Sequence, residues 1–201
     1  MKTLNLQGRS KEFINFYSFA DEYRRKHGGI FDFKSSRSVR ADSCLSAGYF
    51  DESTKRIVVA LNHKKHEETF VHEFCHFMQF IEQTPAYVNC QDDFWWEMEK
   101  NKWGIYTWDS MFSTIALEHD CEKRAIQLGR KYKIFNIKKY AQGMNAYMYF
   151  LQYVYMVNQW PQSTRLYDSK LPNIMPNKPL PLSTFKKIDM AMMKEYDKVF
   201  G

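Results

Sequence analysis

Residues 68–82, ETFVHEFCHFMQFIE, place large apolar side chains at helical spacing, with a few ionisable side chains between them. Phe70, Phe74 and Phe77 recur every three or four positions, which predicts a helix with one buried face. The segment HEFCH at 72–76 interrupts this apolar pattern with two imidazoles and a carboxylate. Burying such groups costs free energy unless something satisfies them. The pattern therefore indicates a metal site on a core helix.

The spacing of the two histidines is what suits a metal ion. Residues i and i+4 share a helix face, so His72 and His76 can point at one ion. Zinc accepts neutral imidazole nitrogens at about 2.0–2.1 Å, and catalytic zinc sites keep one position open for water. Glu73 is turned about 100° from His72, which places its carboxylate beside that water. We therefore predict Zn²⁺ as the cofactor, His72 and His76 as its ligands, and Glu73 as the general base.

A third ligand has to come from elsewhere in the chain, and LEHDCEKRA at 117–125 offers candidates. Glu118 and Glu122 are four residues apart on one predicted helix. One carboxylate can bind the metal while the other accepts the second N–H of a ligand histidine. His119 is a rival third ligand, but it is one helical step from Glu118, so both cannot reach the same ion. Glu118 is favoured because Glu122 accompanies it on the same face.

These motifs resemble those of the gluzincin peptidases, in which HExxH supplies two histidines and a later helix supplies a glutamate through an ExxxD-like motif. Residues 118–122, EHDCE, match that motif with Glu in the place of Asp. The segment from Ala47 to Phe77 is also similar to the ImmA/IrrE group, in which a hairpin strand precedes the active-site helix. The resemblance covers residues 44–131. It implies that Glu118 is the third ligand, Glu73 the base, and Glu122 a partner outside the coordination sphere.

Catalysis at such a site also needs an electrophilic side chain for the developing oxyanion. Tyr106 lies upstream of the glutamate helix and is the predicted residue. Several tyrosines between Tyr147 and Tyr155 are alternatives, although most of them are expected in the core.

The hydrophobic pattern along the rest of the chain predicts an α+β fold. Cys44–Phe50 and Ile57–Leu61 are expected to be strands joined by a turn, and Asn62 is expected to cap the following helix. Further helices are expected at 11–26, 91–103, 108–131, 137–159 and 184–200, with a proline-rich loop at 171–182.

This order of elements predicts one domain over residues 1–201. Its zincin-like core, residues 44–131, would combine a short antiparallel sheet, the HExxH helix and the glutamate helix. Residues 132–201 would form a mainly helical C-terminal extension.

Composition excludes several classes of protein. Hydrophobic residues make up 44% of the chain and aromatic residues 17%, too much for a disordered or fibrous protein. The sequence shows neither a secretory signal nor a membrane span, so an intracellular location is expected. Its four cysteines form no CxxC pair and are expected to be thiols. Cys121 is assigned to the apolar surroundings of Glu118.

The predicted function is that of a zinc metalloendopeptidase which hydrolyses a peptide bond in a specific protein substrate. An alternative is a zincin-fold binding or assembly module with a zinc site, contacting nucleic acid or an acidic protein. The net charge of +6, with basic residues at Arg24–Lys26 and along Cys121–Lys139, is compatible with weak nonspecific nucleic-acid contact. Glu73 favours the enzyme, because a scaffold needs no general base.

Overall fold

Two units make up the chain in the computed structural model, which describes residues 4, 6–41, 44–90, 108–159 and 164–201. The first unit combines residues 1–84 with Arg124–Asn136, and the second combines Pro85–Lys123 with Ile137–Gly201. The helix predicted at 91–103 lies outside the described residues. The division into a core at 44–131 and a C-terminal extension stays a prediction.

The strands among the described residues belong to the first unit. They are β1 (Ile30–Lys34), β2 (Val39–Ala41), β3 (Cys44–Ser46), β4 (Gly48–Asp51) and β5 (Arg56–Ala60). One sheet has the order β1-β5-β4, with β1 parallel and β4 antiparallel to β5. The short strands β2 and β3 pair with each other in a second, antiparallel ladder.

The sheet differs from the predicted antiparallel one because β5 is a central strand. Ile57 to Ala60 are all buried, and a strand that is apolar on both faces is typical of a sheet interior. It therefore takes β1 as a parallel partner on the edge opposite β4. The predicted hairpin is present as β4 and β5, whereas residues 44–46 form a separate strand.

Helix α1 (Lys11–His27) agrees with the prediction and ends at Gly28, whose φ is 71°. Helix α2 (His66–Glu82) begins later than predicted, and Asn62 is not its cap. The backbone N–H of Asn62 instead donates to the carbonyl of Ser36 at 2.9 Å. That hydrogen bond prolongs the contact between β1 and β5, so the chain turns into a helix only after it.

The core of the first unit is centred on Phe70 of α2, which is 1% exposed. Its ring lies 5.0 Å from that of Phe31 and 5.6 Å from that of Phe16, both in edge-to-face geometry. Each such pair adds about 0.5–1.5 kcal/mol to the gain from burial. The rings in contact with Phe70 come from α1 and β1: Phe13, Phe16, Tyr17, Phe31 and Phe33.

The end of α4 (Trp108–Tyr132) completes the first unit. Arg124 of this helix donates to Glu82, the last residue of α2, over 2.6 Å. Burial, and then the Glu82 carboxylate, raise the pKa of Tyr23 on α1 to about 12. Side chains of α1 and α4 therefore meet at the Glu82 carboxylate of α2.

The second unit is helical in its described part. Its helices are α3 (Pro85–Val88), the start of α4, α5 (Ile137–Val157), α6 (Thr164–Asp168), α7 (Leu171–Ile174), a 3₁₀ turn (Leu182–Lys186) and α8 (Met190–Phe200). The helix α5 is the central one, and most of its residues from Ala141 to Val154 are buried. Even so, none of the helices within the described ranges is long and apolar enough to cross a membrane.

Side-chain amides hold the proline-rich segment against α5. Asn145 donates to the carbonyls of Pro176 and Lys178 and accepts from the N–H of Leu180, each at 2.9 Å. The predicted loop at 171–182 therefore contains α7 and then a tethered extended segment. The last helix starts at Met190 rather than near 184, because the Asp189 side chain caps it.

Candidate metal centre

The two histidines of HEFCH converge on one side of α2. Nε2 of His72 lies 3.1 Å from Nε2 of His76, and the two half-buried rings are nearly perpendicular at 83°. Two nitrogens bound to one tetrahedral zinc ion at about 2.0–2.1 Å would be about 3.3 Å apart. The observed separation is close to that value. Both imidazoles can therefore direct the same ring nitrogen at one ion.

A third polar side chain of α2 adjoins this pair. Gln79 is 0% exposed, and its Oε1 lies 2.9 Å from Nδ1 of His76. The sequence prediction missed this residue and assigned the supporting role to Glu122. The sequence did contain a signal for Gln79. A glutamine three residues after a candidate ligand histidine shares its helix face, and the residues around Gln79 in this turn are apolar.

Glu73 is buried as well, with 8% of its surface exposed. It lies against the start of β4, where a Cβ added to Gly48 would be 3.4 Å from Cγ of Glu73. The same Cβ would be only 2.7 Å from the Val58 carbonyl oxygen and from Cγ2 of Thr69. The close approach of β4 to α2 therefore requires glycine at position 48. This packing covers the Glu73 side chain, which follows His72 directly on α2.

On α4, three ionisable side chains share one helix face. Glu118, Cys121 and Glu122 have spacings of three and four residues, and 8%, 0% and 5% of their surfaces are exposed. The sequence prediction gave Glu118 and Glu122 roles at the metal but counted Cys121 only as an apolar neighbour. A thiol on the same face is an equally suitable zinc ligand. The three-residue spacing from Glu118 was the sequence signal for this candidate ligand.

His119 points elsewhere within the second unit. Its Nε2 donates to the carbonyl of Leu180 at 2.8 Å, and its ring packs edge-on against Phe185. Burial lowers the pKa of the His119 imidazole, which is therefore neutral at pH 7. One ring nitrogen is thus engaged by the tethered segment after α7, and Nδ1 is the ring nitrogen through which His119 would have to bind a metal.

Tyr106, predicted to stabilise the oxyanion, lies outside the described residues and stays a prediction. Among the alternative tyrosines, Tyr149 and Tyr153 are buried in the core of the second unit, as expected. Burial raises the pKa of both phenols.

Comparisons with known proteins return nothing for this chain: no family model, no curated protein and no solved structure matches it. The gluzincin resemblance therefore rests on the motifs and their spacing. The geometry of α2 is structural evidence for the site that does not depend on those motifs.

The close contact of β4 with β5 and α2 at Gly48 can be tested with a pair of glycine variants. Gly48→Ala should destabilise the protein by about 1–3 kcal/mol, because the new methyl group meets a backbone oxygen that cannot move away. Gly143→Ala is the matched control, since its Cβ would meet only Tyr167 at 3.6 Å, an ordinary contact within a helix. It should be neutral or stabilise the protein by up to about 1 kcal/mol. Urea unfolding measures both, and equal stabilities would contradict the proposed contact.

Proposed function

We propose that this protein is a zinc-dependent metallopeptidase that uses HEFCH at 72–76 as its active-site motif. The observation that carries the proposal is the 3.1 Å convergence of the Nε2 atoms of His72 and His76. Glu73 supports it, because a buried carboxylate beside two imidazoles suits a general base and is costly to maintain otherwise. The hydrogen bond from His76 to Gln79 resembles the outer contacts that orient metal-bound histidines.

The third ligand is proposed to come from α4. Glu118 is the first candidate, on the gluzincin-like pattern. Cys121 is the second, because its buried thiol lies on the same face of α4 as Glu118 and a thiolate is a common zinc ligand. Either side chain would bring one negative charge to the ion when deprotonated. A soft thiolate and two imidazoles suit zinc, whereas magnesium and calcium prefer oxygen ligands.

The chemistry divides between the ion and the chain. Bound zinc would lower the pKa of a water molecule and polarise the scissile carbonyl group. Glu73 takes one proton from the attacking water as its oxygen bonds to the carbonyl carbon. The carboxyl group then returns that proton to the amine nitrogen as the C–N bond breaks. His72 and His76 hold the reacting centre at the helix without changing their own protonation.

A second candidate function is that of a zinc-stabilised binding or assembly module. The presence of Cys121 favours it, because closed structural zinc sites are built from cysteine and histidine. Both Glu118 and Cys121 would then bind the ion and leave no position open for water. The partner would be an acidic protein or nucleic acid, as the net charge of +6 suggests.

The metal itself is the first prediction of this proposal. Purified protein should contain about one zinc ion per chain, and His72→Ala or His76→Ala should lose it, because each removes one of few ligands. His27→Ala is the matched control, since that imidazole is also half-buried but packs on Tyr23 of α1. Elemental analysis measures zinc in the parental protein, in the three single variants and in a double variant. Full occupancy in the double variant His72→Ala/His76→Ala would exclude this site.

The enzyme and the module differ in their response to Glu73→Gln. If Glu73 is the base, this variant should keep its zinc and lose hydrolysis by about 10²–10⁴-fold, because an amide does not accept the water's proton. Glu68→Gln, in the first turn of the same helix, should cleave at the parental rate. The substrate is a quenched fluorescent peptide library, with zinc content checked in parallel. Zinc-loaded parental protein without cleavage would favour the module, and equal cleavage by Glu73→Gln would remove Glu73 as the base.

Four variants of α4 decide the third ligand. Glu118→Ala should weaken zinc binding far more than Glu122→Ala, whose loss should cost about 10–100-fold as an outer contact. His119→Ala should leave the metal bound, because the His119 side chain is turned by about 100° from Glu118 on the same helix. Cys121→Ser tests the thiol, and competition with a chelator ranks all four.

Cobalt substitution gives an independent answer on the thiol. A sulfur-to-cobalt charge-transfer band in the near ultraviolet that disappears in Cys121→Ser would assign the ligand to Cys121. Zinc loss in His119→Ala, with zinc retained in Glu118→Ala, would replace the gluzincin-like assignment with the three-histidine alternative.

A further inference from the structure

The Gln79 side chain is a fully buried amide in an otherwise apolar turn of α2. Such an amide costs free energy unless it forms hydrogen bonds, and Oε1 forms one with Nδ1 of His76 at 2.9 Å. Burying a glutamine here costs more free energy than burying a leucine or methionine of similar volume, which needs no hydrogen-bond partner. Its contact with His76 points to a role at the metal centre.

The backbone of Gln79 is fixed by the end of the helix. Its carbonyl accepts from the N–H of Gln83, which has a left-handed φ of 48°, and from that of Thr84 at 3.2 Å. Two hydrogen bonds to one carbonyl anchor this residue in the last turn of α2. From there its side chain reaches back three residues to His76. The acceptor is therefore placed by the helix terminus and does not depend on a mobile loop.

The chemistry of the amide determines where the proton of His76 lies. An amide oxygen only accepts, so Nδ1 of His76 must carry the hydrogen that it donates. In a neutral imidazole the other nitrogen, Nε2, then has the free lone pair. This is the atom that lies 3.1 Å from Nε2 of His72. We propose that Gln79 is a positioning residue, which holds His76 in the Nδ1–H tautomer with Nε2 directed at the metal. The effect of Gln79 on zinc affinity rests on the proposed function.

A neutral acceptor suits this position better than a charged one. Glu73 on the same helix is a carboxylate with 8% of its surface exposed. A glutamate at position 79 would add another negative charge in a fully buried place, at a cost in desolvation. The amide orients the imidazole without that charge. Gln79→Glu should therefore keep the tautomer and the metal, while it lowers the stability of the protein.

The experiment compares three glutamine variants with the parental protein. Gln79→Leu removes the acceptor at similar volume, and Gln79→Glu restores an acceptor. Gln152→Leu is the matched control, because this equally buried glutamine of α5 donates to the carbonyls of Phe185 and Lys187. All are labelled with ¹⁵N-histidine. The His76 signals are identified by their loss in His76→Ala.

The ¹⁵N spectra should show His76 in the Nδ1–H form in the parental protein and in Gln79→Glu, with and without a chelator. In Gln79→Leu the metal-free ring should shift towards the Nε2–H form, which imidazoles without such an acceptor favour. Zinc affinity, from chelator competition, should fall about 10–100-fold in Gln79→Leu. It should be unchanged in Gln152→Leu, even though both leucine variants alter the stability of the protein.

Two results would overturn the role of Gln79. One is a parental His76 with its proton on Nε2. The other is a Gln79→Leu variant with the parental tautomer and zinc affinity. A parental protein that binds no zinc would instead refute the proposed function, and the tautomer in the metal-free spectra would still test Gln79 by itself.

Discussion

Packing of Phe70 against the rings of α1 and β1 sets the rotation of α2 about its own axis, and the arrangement of the candidate metal centre depends on that rotation. Phe70, Phe74 and Phe77 lie within about 60° of one another around the helix. On the same helical wheel, His72, His76 and Gln79 are turned by about 180–240° from Phe70. The buried face of the helix thus leaves the two imidazoles and their glutamine together on the other side.

Glu73 lies between these two faces, and its position explains its burial. It is turned by about 300° from Phe70, next to the apolar face, and the start of β4 covers it. Only a strand with glycine at position 48 can approach α2 so closely. The sheet therefore contributes to the site through backbone proximity, although none of its side chains is a predicted ligand.

The buried side-chain amides among the described residues have different partners. Asn145 and Gln152 of α5 are satisfied by backbone groups of the segment between Pro176 and Asp189, which they tether. Gln79 instead bonds to an imidazole. The contact of Gln79 is thus with a titratable side chain, whereas those of Asn145 and Gln152 are with backbone groups of one segment.

The sequence alone determined the helix that bears HEFCH, the spacing that brings His72 and His76 together, and the α+β class. These features depend on helical periodicity and on local apolar pattern, which are properties of neighbouring residues. It also predicted the β4–β5 hairpin, because a turn joins two adjacent apolar segments.

Only the tertiary structure decided the parallel pairing of β1 with β5, the engagement of His119 by the Leu180 carbonyl, and the burial of Gln79 against His76. The first two join residues far apart in the chain, so no local pattern records them. Gln79 is close to His76 in sequence, but a glutamine on a helix is usually solvated. Its role became visible only when folding removed it from water, because an amide that has lost its water must find its partner within the protein.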